Sequence, residues 1–299
     1  MKNLKYSSIE SSISNFGFTL EIHLTEVCNY NCSYCNLHDM NRYNKIDYSK
    51  LFSVEYPSNT RAFILGGEPT LDKNLFELIE KLNEHQIYDI DIQTNLSTNI
   101  RKIIKKLRES DLRVRFFSSF HNEFADFKSF IDKNNFLVES GYYGGIHYMW
   151  TKRFATLSYN RFKILNSLFD NVSLEPTLPH SFDEEEWNKK LELHEFNELN
   201  LMQYSKRMTP IIRIDDVEMT IGDALLNNYE RGVYGINCSI PKYAITFSTT
   251  KNKFFNCCFD LVANREFIYD EWKRGSCQCS HKMCCADIEY PKKMINYNS

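Results

Sequence analysis

The sequence predicts an α/β protein: a partial (β/α)6 barrel followed by a small cysteine-rich C-terminal segment. Three observations carry this. From residue 18 to about residue 180, apolar runs with strand-like alternation take turns with helical apolar patterns. Parallel strands need long crossover connections, and the intervening helices supply them. Finally, seven of the ten cysteines fall after residue 236, in a stretch with little apolar periodicity.

The elements follow in order. FTLEIHL (18–24) alternates apolar and polar residues and leads into the first cysteines. AFIL (62–65) ends in Gly66-Gly67-Glu68-Pro69-Thr70, and a helix follows with Leu75, Leu78, Ile79 and Leu82 on one face. Strand-like 87–95 precedes a helix over 98–109, and 112–121 precedes a helix over 123–134. Strands at 145–150 and 171–179 flank a helix at 153–168, which completes six βα-like units. A charged amphipathic helix then runs from Asp183 to Lys206, and PIIRIDD (210–216) reads as one further strand. The division is an N-terminal segment 1–17, a barrel 18–205, a linker with edge elements 206–235, and a C-terminal cluster domain 236–299. Only about 17 residues precede the first strand.

Composition narrows the class of protein. In 299 residues, 42% are hydrophobic, and 36 Lys+Arg against 39 Asp+Glu leave a net charge of −3, as in a folded, soluble chain. No run of about 18 apolar residues is present, and Lys, Ser and Glu interrupt the first twenty positions, so neither a membrane span nor a signal peptide is expected. The expected location is the cytoplasm. Without a cluster of Lys and Arg, a nucleic-acid partner is not expected either.

The cysteines form two groups, Cys28, Cys32 and Cys35, then Cys238, Cys257, Cys258, Cys277, Cys279, Cys284 and Cys285. A chain of this size without a secretion signal has no need of a disulfide scaffold, so thiolates for metal are the better reading. Cys28-x3-Cys32-x2-Cys35 sits in a loop after a strand. Three such thiolates hold three corners of a [4Fe–4S] cube and leave one iron open. Zinc is the alternative, although structural zinc prefers four protein ligands.

With these motifs the sequence resembles the radical S-adenosylmethionine (radical SAM) superfamily. The loop carries an aromatic residue, Tyr34, before its last cysteine, and Gly66-Gly67-Glu68-Pro69 matches the family's GGEP motif at the end of the second strand. The resemblance covers about residues 18–180 and implies a TIM-like partial barrel. It implies that Tyr34 packs near the adenine of SAM and that the backbone and Glu of the GGEP turn contact the methionine amino group. Asn95, Ser118 and Ser119 fall where relatives place polar contacts to SAM's ribose or carboxylate, and each also reads as a helix cap or turn former. The implied reaction is reductive cleavage of SAM to methionine and a 5′-deoxyadenosyl radical that abstracts a substrate hydrogen atom. His121 and Glu175 stand at strand ends as candidate catalytic residues, with a structural role the plainer reading of each.

The later cysteines resemble the SPASM auxiliary-cluster extension or its shorter twitch relative. The resemblance implies an auxiliary [4Fe–4S] cluster on Cys238, Cys257, Cys277 and Cys284, with Cys258, Cys279 and Cys285 as substitutes or a second site and structural zinc as the alternative. The family hairpin has Gly five residues before its second cysteine. Asn252 stands there, and Asn tolerates a positive φ. Family members with such clusters often modify ribosomally made peptides, by epimerisation or cross-linking, and draw electrons from a donor such as flavodoxin or ferredoxin. A small metabolite, sugar or nucleotide is the other substrate class, and a non-catalytic zinc module is the third reading.

Overall fold

The computed structural model describes residues 18–35, 46–108, 112–150, 155–176, 211–214, 217–220, 237–238, 244–256, 265, 267, 269, 277–278 and 295–296. Six strands, β1 (Thr19–Thr25), β2 (Arg61–Gly66), β3 (Asp89–Thr94), β4 (Arg113–His121), β5 (Tyr143–Trp150) and β6 (Val172–Pro176), pair in sequence order. Every one of these pairings is parallel. Helices α1 (Leu75–Glu84), α2 (Ile100–Leu107), α3 (Phe127–Ser140) and α4 (Ala155–Leu168) supply crossovers, so the architecture is α/β with a sheet dominated by parallel strands.

Period-two alternation sorts the strand residues onto two faces. Leu20, Ile22, Ala62, Ile64, Ile90, Ile92, Val114 and Phe116 join Leu78, Ile79, Leu82, Ile103, Ile104 and Leu137 of the helices in one hydrophobic core. The alternate positions carry Glu21, His23, Asp91, Gln93, Arg115, Ser119 and His121, a polar face. Its charges are paired: Asp91 meets Arg61 at 3.2 Å and Arg115 at 2.7 Å, and His23 Nε2 lies 2.8 Å from Glu21 Oε1.

The helix boundaries follow the caps. Asp126 accepts from the Ser129 N–H at 2.8 Å, so α3 begins at Phe127 rather than near 123 as the sequence predicts, and residues 121–125 form a turn. Gly141 at φ +79° ends that helix in the left-handed conformation.

Two strands of the main sheet come from far along the chain. Strand β10 (Ala244–Ser248) lies parallel to β1, with Thr19 opposite Ala244 and His23 opposite Ser248, and β11 (Lys253–Phe255) closes that edge antiparallel. The sequence assigns this run to the C-terminal segment. In the structure all five of its residues are buried, as in a strand covered on both faces, and it extends the main sheet. Asn252, in the turn between β10 and β11, has φ +50°. Strands β7 (Ile211–Ile214) and β8 (Val217–Thr220) form an antiparallel hairpin where one strand is predicted. Strands β9 (Asn237–Cys238), β12 (Cys277–Gln278) and β13 (Ile295–Asn296) form a third sheet. The helix predicted at 183–206 lies outside the described residues.

Candidate active site

Cys28, Cys32 and Cys35 lie just beyond the C-terminal end of β1, and none of the three is in a disulfide. The Cys35 N–H donates to the Cys32 carbonyl at 3.0 Å, which closes the turn, and the Tyr30 N–H donates to Cys28 Sγ at 3.4 Å. Burial raises the Cys28 thiol above its ordinary pKa. Burial, aided by the charges of Cys35 and Glu123, pushes Cys32 up to about 12. Bare, these groups stay protonated at neutral pH; a cationic metal centre reverses that preference. Among the described residues, no three His, Cys, Asp or Glu side chains converge on a single-ion site. A four-iron cube asks for a different geometry, with each thiolate on its own iron.

The glycine turn is built against the stem of this loop. Gly67 N–H donates to the Thr25 carbonyl at 2.7 Å and Glu68 N–H to the Val27 carbonyl at 2.8 Å. Gly66 has φ +141°, and a Cβ there would stand 2.1 Å from the Thr25 carbonyl oxygen. A Cβ at Gly67 would stand 2.3 Å from that of Val27. Both glycines are thus required by the close approach of two backbone segments.

Glu68 is fully buried, and its carboxylate ties the end of β2 to the end of β3. It accepts from Thr70 N–H at 3.1 Å, Thr94 Oγ1 at 2.7 Å and Asn95 N–H at 2.6 Å, and also from the Thr70 hydroxyl. Burial raises its pKa, opposed by these donors. Pro69 opens the short helix that Glu68 caps. Asn95, nearly buried, directs Nδ2 toward Cys28 Sγ at 3.7 Å and Asn29 Oδ1 at 3.2 Å. Lys133, from α3, donates to the carbonyl of Leu96 at 2.5 Å.

The turn after β4 grips the cysteine loop from the other side. Ser33 donates its backbone N–H to Glu123 at 2.8 Å. The Tyr34 phenol, its pKa raised by burial, is hydrogen-bonded to His121 Nδ1 at 2.7 Å, and the two rings stack. His121 Nδ1 is also 3.5 Å from Cys32 Sγ. Burial lowers its pKa to about 4, so the imidazole is neutral. Tyr30 stacks on Phe124 with centroids 5.3 Å apart.

The other predicted positions divide by face. Ser118 is fully buried and donates to Asn134 of α3 at 2.7 Å, on the helix side of the sheet. Ser119, one residue on, accepts from Gln93 Nε2 at 3.1 Å on the polar face. His121, Met149 and Glu175 occupy one cross-strand row at the ends of β4, β5 and β6. Of the later cysteines, Cys238 and Cys277 are direct Cα partners across β9 and β12. Cys257, Cys258, Cys279, Cys284 and Cys285 lie outside the described residues. Sequence reasoning missed Asn29, Glu123 and Lys133, whose contacts span long sequence separations and leave no local pattern. It also missed the Glu21–His23 pair, which the i, i+2 spacing on a strand could have signalled.

No protein-family model matches the chain. Proteins named probable GTP 3′,8-cyclase from Methanocaldococcus jannaschii and Sulfolobus acidocaldarius are each 30% identical to it, over 100 and 99 residues. Those matches cover 31% of this chain and 33% and 31% of the relatives, so they span about a third of the relatives' length. Streptococcus suis SuiB bound to its precursor peptide SuiA superposes with a TM-score of 0.51 at 15% identity, covering 89% of this chain and 67% of SuiB. The structure of anSMEcpe with bound AdoMet and Cp18Cys peptide gives 0.51 at 18% identity, covering 85% and 75%.

The solved structures share the α/β fold with this chain, and the anSMEcpe structure holds AdoMet. Among the described residues, no helix is long and apolar enough to cross a membrane.

Proposed function

We propose that this chain is a radical SAM enzyme in which Cys28, Cys32 and Cys35 hold a [4Fe–4S] cluster, and that its substrate is a peptide. The carrying observation is the backbone pairing of the glycine turn with the stem of the cysteine loop, through Gly67 to Thr25 and Glu68 to Val27. It fixes three thiols outside any disulfide beside the glycine turn at the C-terminal edge of a parallel sheet, where α/β proteins bind their ligands.

The donor set fits such a cluster: three soft thiol ligands, two of them half-buried, with an amide N–H directed at the sulfur of Cys28. When bound there with SAM, the cluster supplies the electron that splits a carbon–sulfur bond and so provides a radical able to abstract hydrogen. The chain's own residues do the rest. Tyr34, held by His121, offers a ring wall for the adenine. The backbone of Gly66 to Pro69 takes the amino acid end of SAM, while Glu68 braces that backbone from behind. Ser119 and the Glu21–His23 pair face the polar side of the sheet, where they orient substrate. His121 and Glu175 share the row at the strand ends nearest the radical source.

A peptide substrate is supported by the peptide-bound structures that share this fold. The cyclase relatives, named for a nucleotide, favour a nucleotide as the second reading. An auxiliary cluster on Cys238, Cys257, Cys277 and Cys284, with Cys258, Cys279 and Cys285 nearby in sequence, and a flavodoxin or ferredoxin as electron donor complete the proposal.

The test is anaerobic reconstitution with iron and sulfide, then SAM and a strong reductant. Wild type should release 5′-deoxyadenosine, and the Cys28/Cys32/Cys35→Ala variant should release none while keeping its C-terminal iron. Cleavage that persists in the triple variant refutes the site, and colourless protein containing zinc refutes the enzyme.

A further inference from the structure

We propose that Asn95 sets the reduction potential of the cluster at Cys28, Cys32 and Cys35 by donating its side-chain N–H to the Cys28 sulfur. This rests on the cluster assignment above and adds a function for a residue whose family position suggests contact with SAM itself.

The geometry determines which end of the carboxamide meets the sulfur. The backbone N–H of Ser97 donates to Asn95 Oδ1 at 2.8 Å, and an N–H has only a proton to give, so that atom is the oxygen. Nδ2 is then the atom 3.7 Å from Cys28 Sγ and 3.2 Å from Asn29 Oδ1. With Asn29 Oδ1 accepting from Asn95 Nδ2, the rotatable Ser97 hydroxyl donates to the same oxygen at 2.9 Å. Behind it, the Asn95 backbone N–H is held by the buried Glu68 carboxylate at 2.6 Å. Asn95 is 5% exposed, so its amide is held out of bulk water, and the sulfur it meets is half-buried.

The chemistry follows from charge. Reducing an iron–sulfur cluster adds negative charge that spreads onto its sulfurs, so a donor aimed at a ligand sulfur stabilises the reduced form more than the oxidised one. Among the described residues, Cys28 receives two such donors, the Asn95 amide and the Tyr30 backbone N–H at 3.4 Å. Only the first belongs to a side chain and is open to substitution. Asn95 is therefore a positioning and tuning residue that acts through Cys28.

The experiment is an EPR-monitored redox titration of reconstituted full-length protein, following the cluster whose signal changes on SAM addition. In Asn95→Ala, iron content should match wild type, the midpoint should move to more negative potential, and reductant-driven SAM cleavage should slow several-fold. Ser97→Ala, which keeps the donor but loosens the Asn29 contact, should leave the potential in place. An unchanged potential in an Asn95→Ala protein of normal iron content overturns the assignment. Should that variant fail to take up iron, wild type labelled with 15N in its Asn side chains decides: a nitrogen coupling to the SAM-responsive cluster supports the contact, and its absence overturns it. If the SAM-responsive signal survives in the Cys28/Cys32/Cys35→Ala variant, the cluster assignment itself has failed, a result distinct from a wild-type potential in Asn95→Ala.

Discussion

Ser33 and Glu123, 90 residues apart in sequence, are joined by two hydrogen bonds, the Ser33 backbone N–H (2.8 Å) and hydroxyl both donating to the Glu123 carboxylate. Beside this pair, Tyr34 bonds His121 and Tyr30 stacks on Phe124, so residues 121–124 hold the cysteine loop at Tyr30, Ser33 and Tyr34. A loop outside any strand ladder gains order only through such docking, and ligand sets need that order before metal arrives.

Replacing Glu123 by Ala should therefore affect metal assembly more than stability. The pair is exposed, which limits the loss of folding stability to about 1 kcal/mol. Iron uptake at the N-terminal site, read as iron per chain against time during reconstitution, should slow several-fold. Glu123→Gln keeps one acceptor oxygen and should recover part of the rate. Uptake at the wild-type rate in Glu123→Ala would show that the loop orders without its clamp.

Gly66 and Gly67 should not tolerate Ala, for a reason internal to the chain. The added Cβ would meet the Thr25 carbonyl oxygen at 2.1 Å or that of Val27 at 2.3 Å, and both obstacles are backbone that cannot swing aside. Each substitution should cost about 2–4 kcal/mol and separate the turn from the cysteine loop. Thermal unfolding of the iron-free protein checks this. A wild-type melting temperature in either variant would mean the two segments part at little cost.

The six sequential strands and their helices were legible because alternation and helical spacing are local signals. The GGEP turn and the cysteine triad were legible as motifs, but the reason for the glycines was not. Sequence suggests approach to a ligand, and the structure shows approach to Thr25 and Val27. The adjacent Ser118 and Ser119 were read as one polar pair, although strand alternation already assigns them to opposite faces. The pairing of β10 with β1 was illegible, since Thr246 and Glu21 lie 225 residues apart and parallel pairing leaves no turn to announce it.

Glu68 predicts a pH effect with a definite sign. Burial raises its folded pKa above the ordinary 4.5, so the folded state holds this proton to higher pH than the unfolded chain does. Its contribution to stability is then fully present below about 4.5 and is lost as pH rises through the folded value. Glu68→Gln cannot titrate, although its amide group will face at least one donor and should lower stability by about 1–3 kcal/mol at pH 4.5 and below. Denaturant midpoints of the two proteins should converge as pH rises from about 4.5 toward neutrality. A gap that widens over that range would mean the four donors outweigh burial and hold the folded pKa below its ordinary value.

Cys238 and Cys277 are direct partners across an antiparallel ladder, which sets their Cα atoms within about 6 Å. Backbones that close serve one metal centre more readily than two, because neighbouring cubes each need their own set of ligands. Cys238→Ala and Cys277→Ala should each remove the same iron, as measured per chain after reconstitution in the Cys28/Cys32/Cys35→Ala background. The double variant should remove no more than either single one. Additive losses would assign the two cysteines to separate centres, and no loss from either would leave β9 and β12 as strands without a metal role.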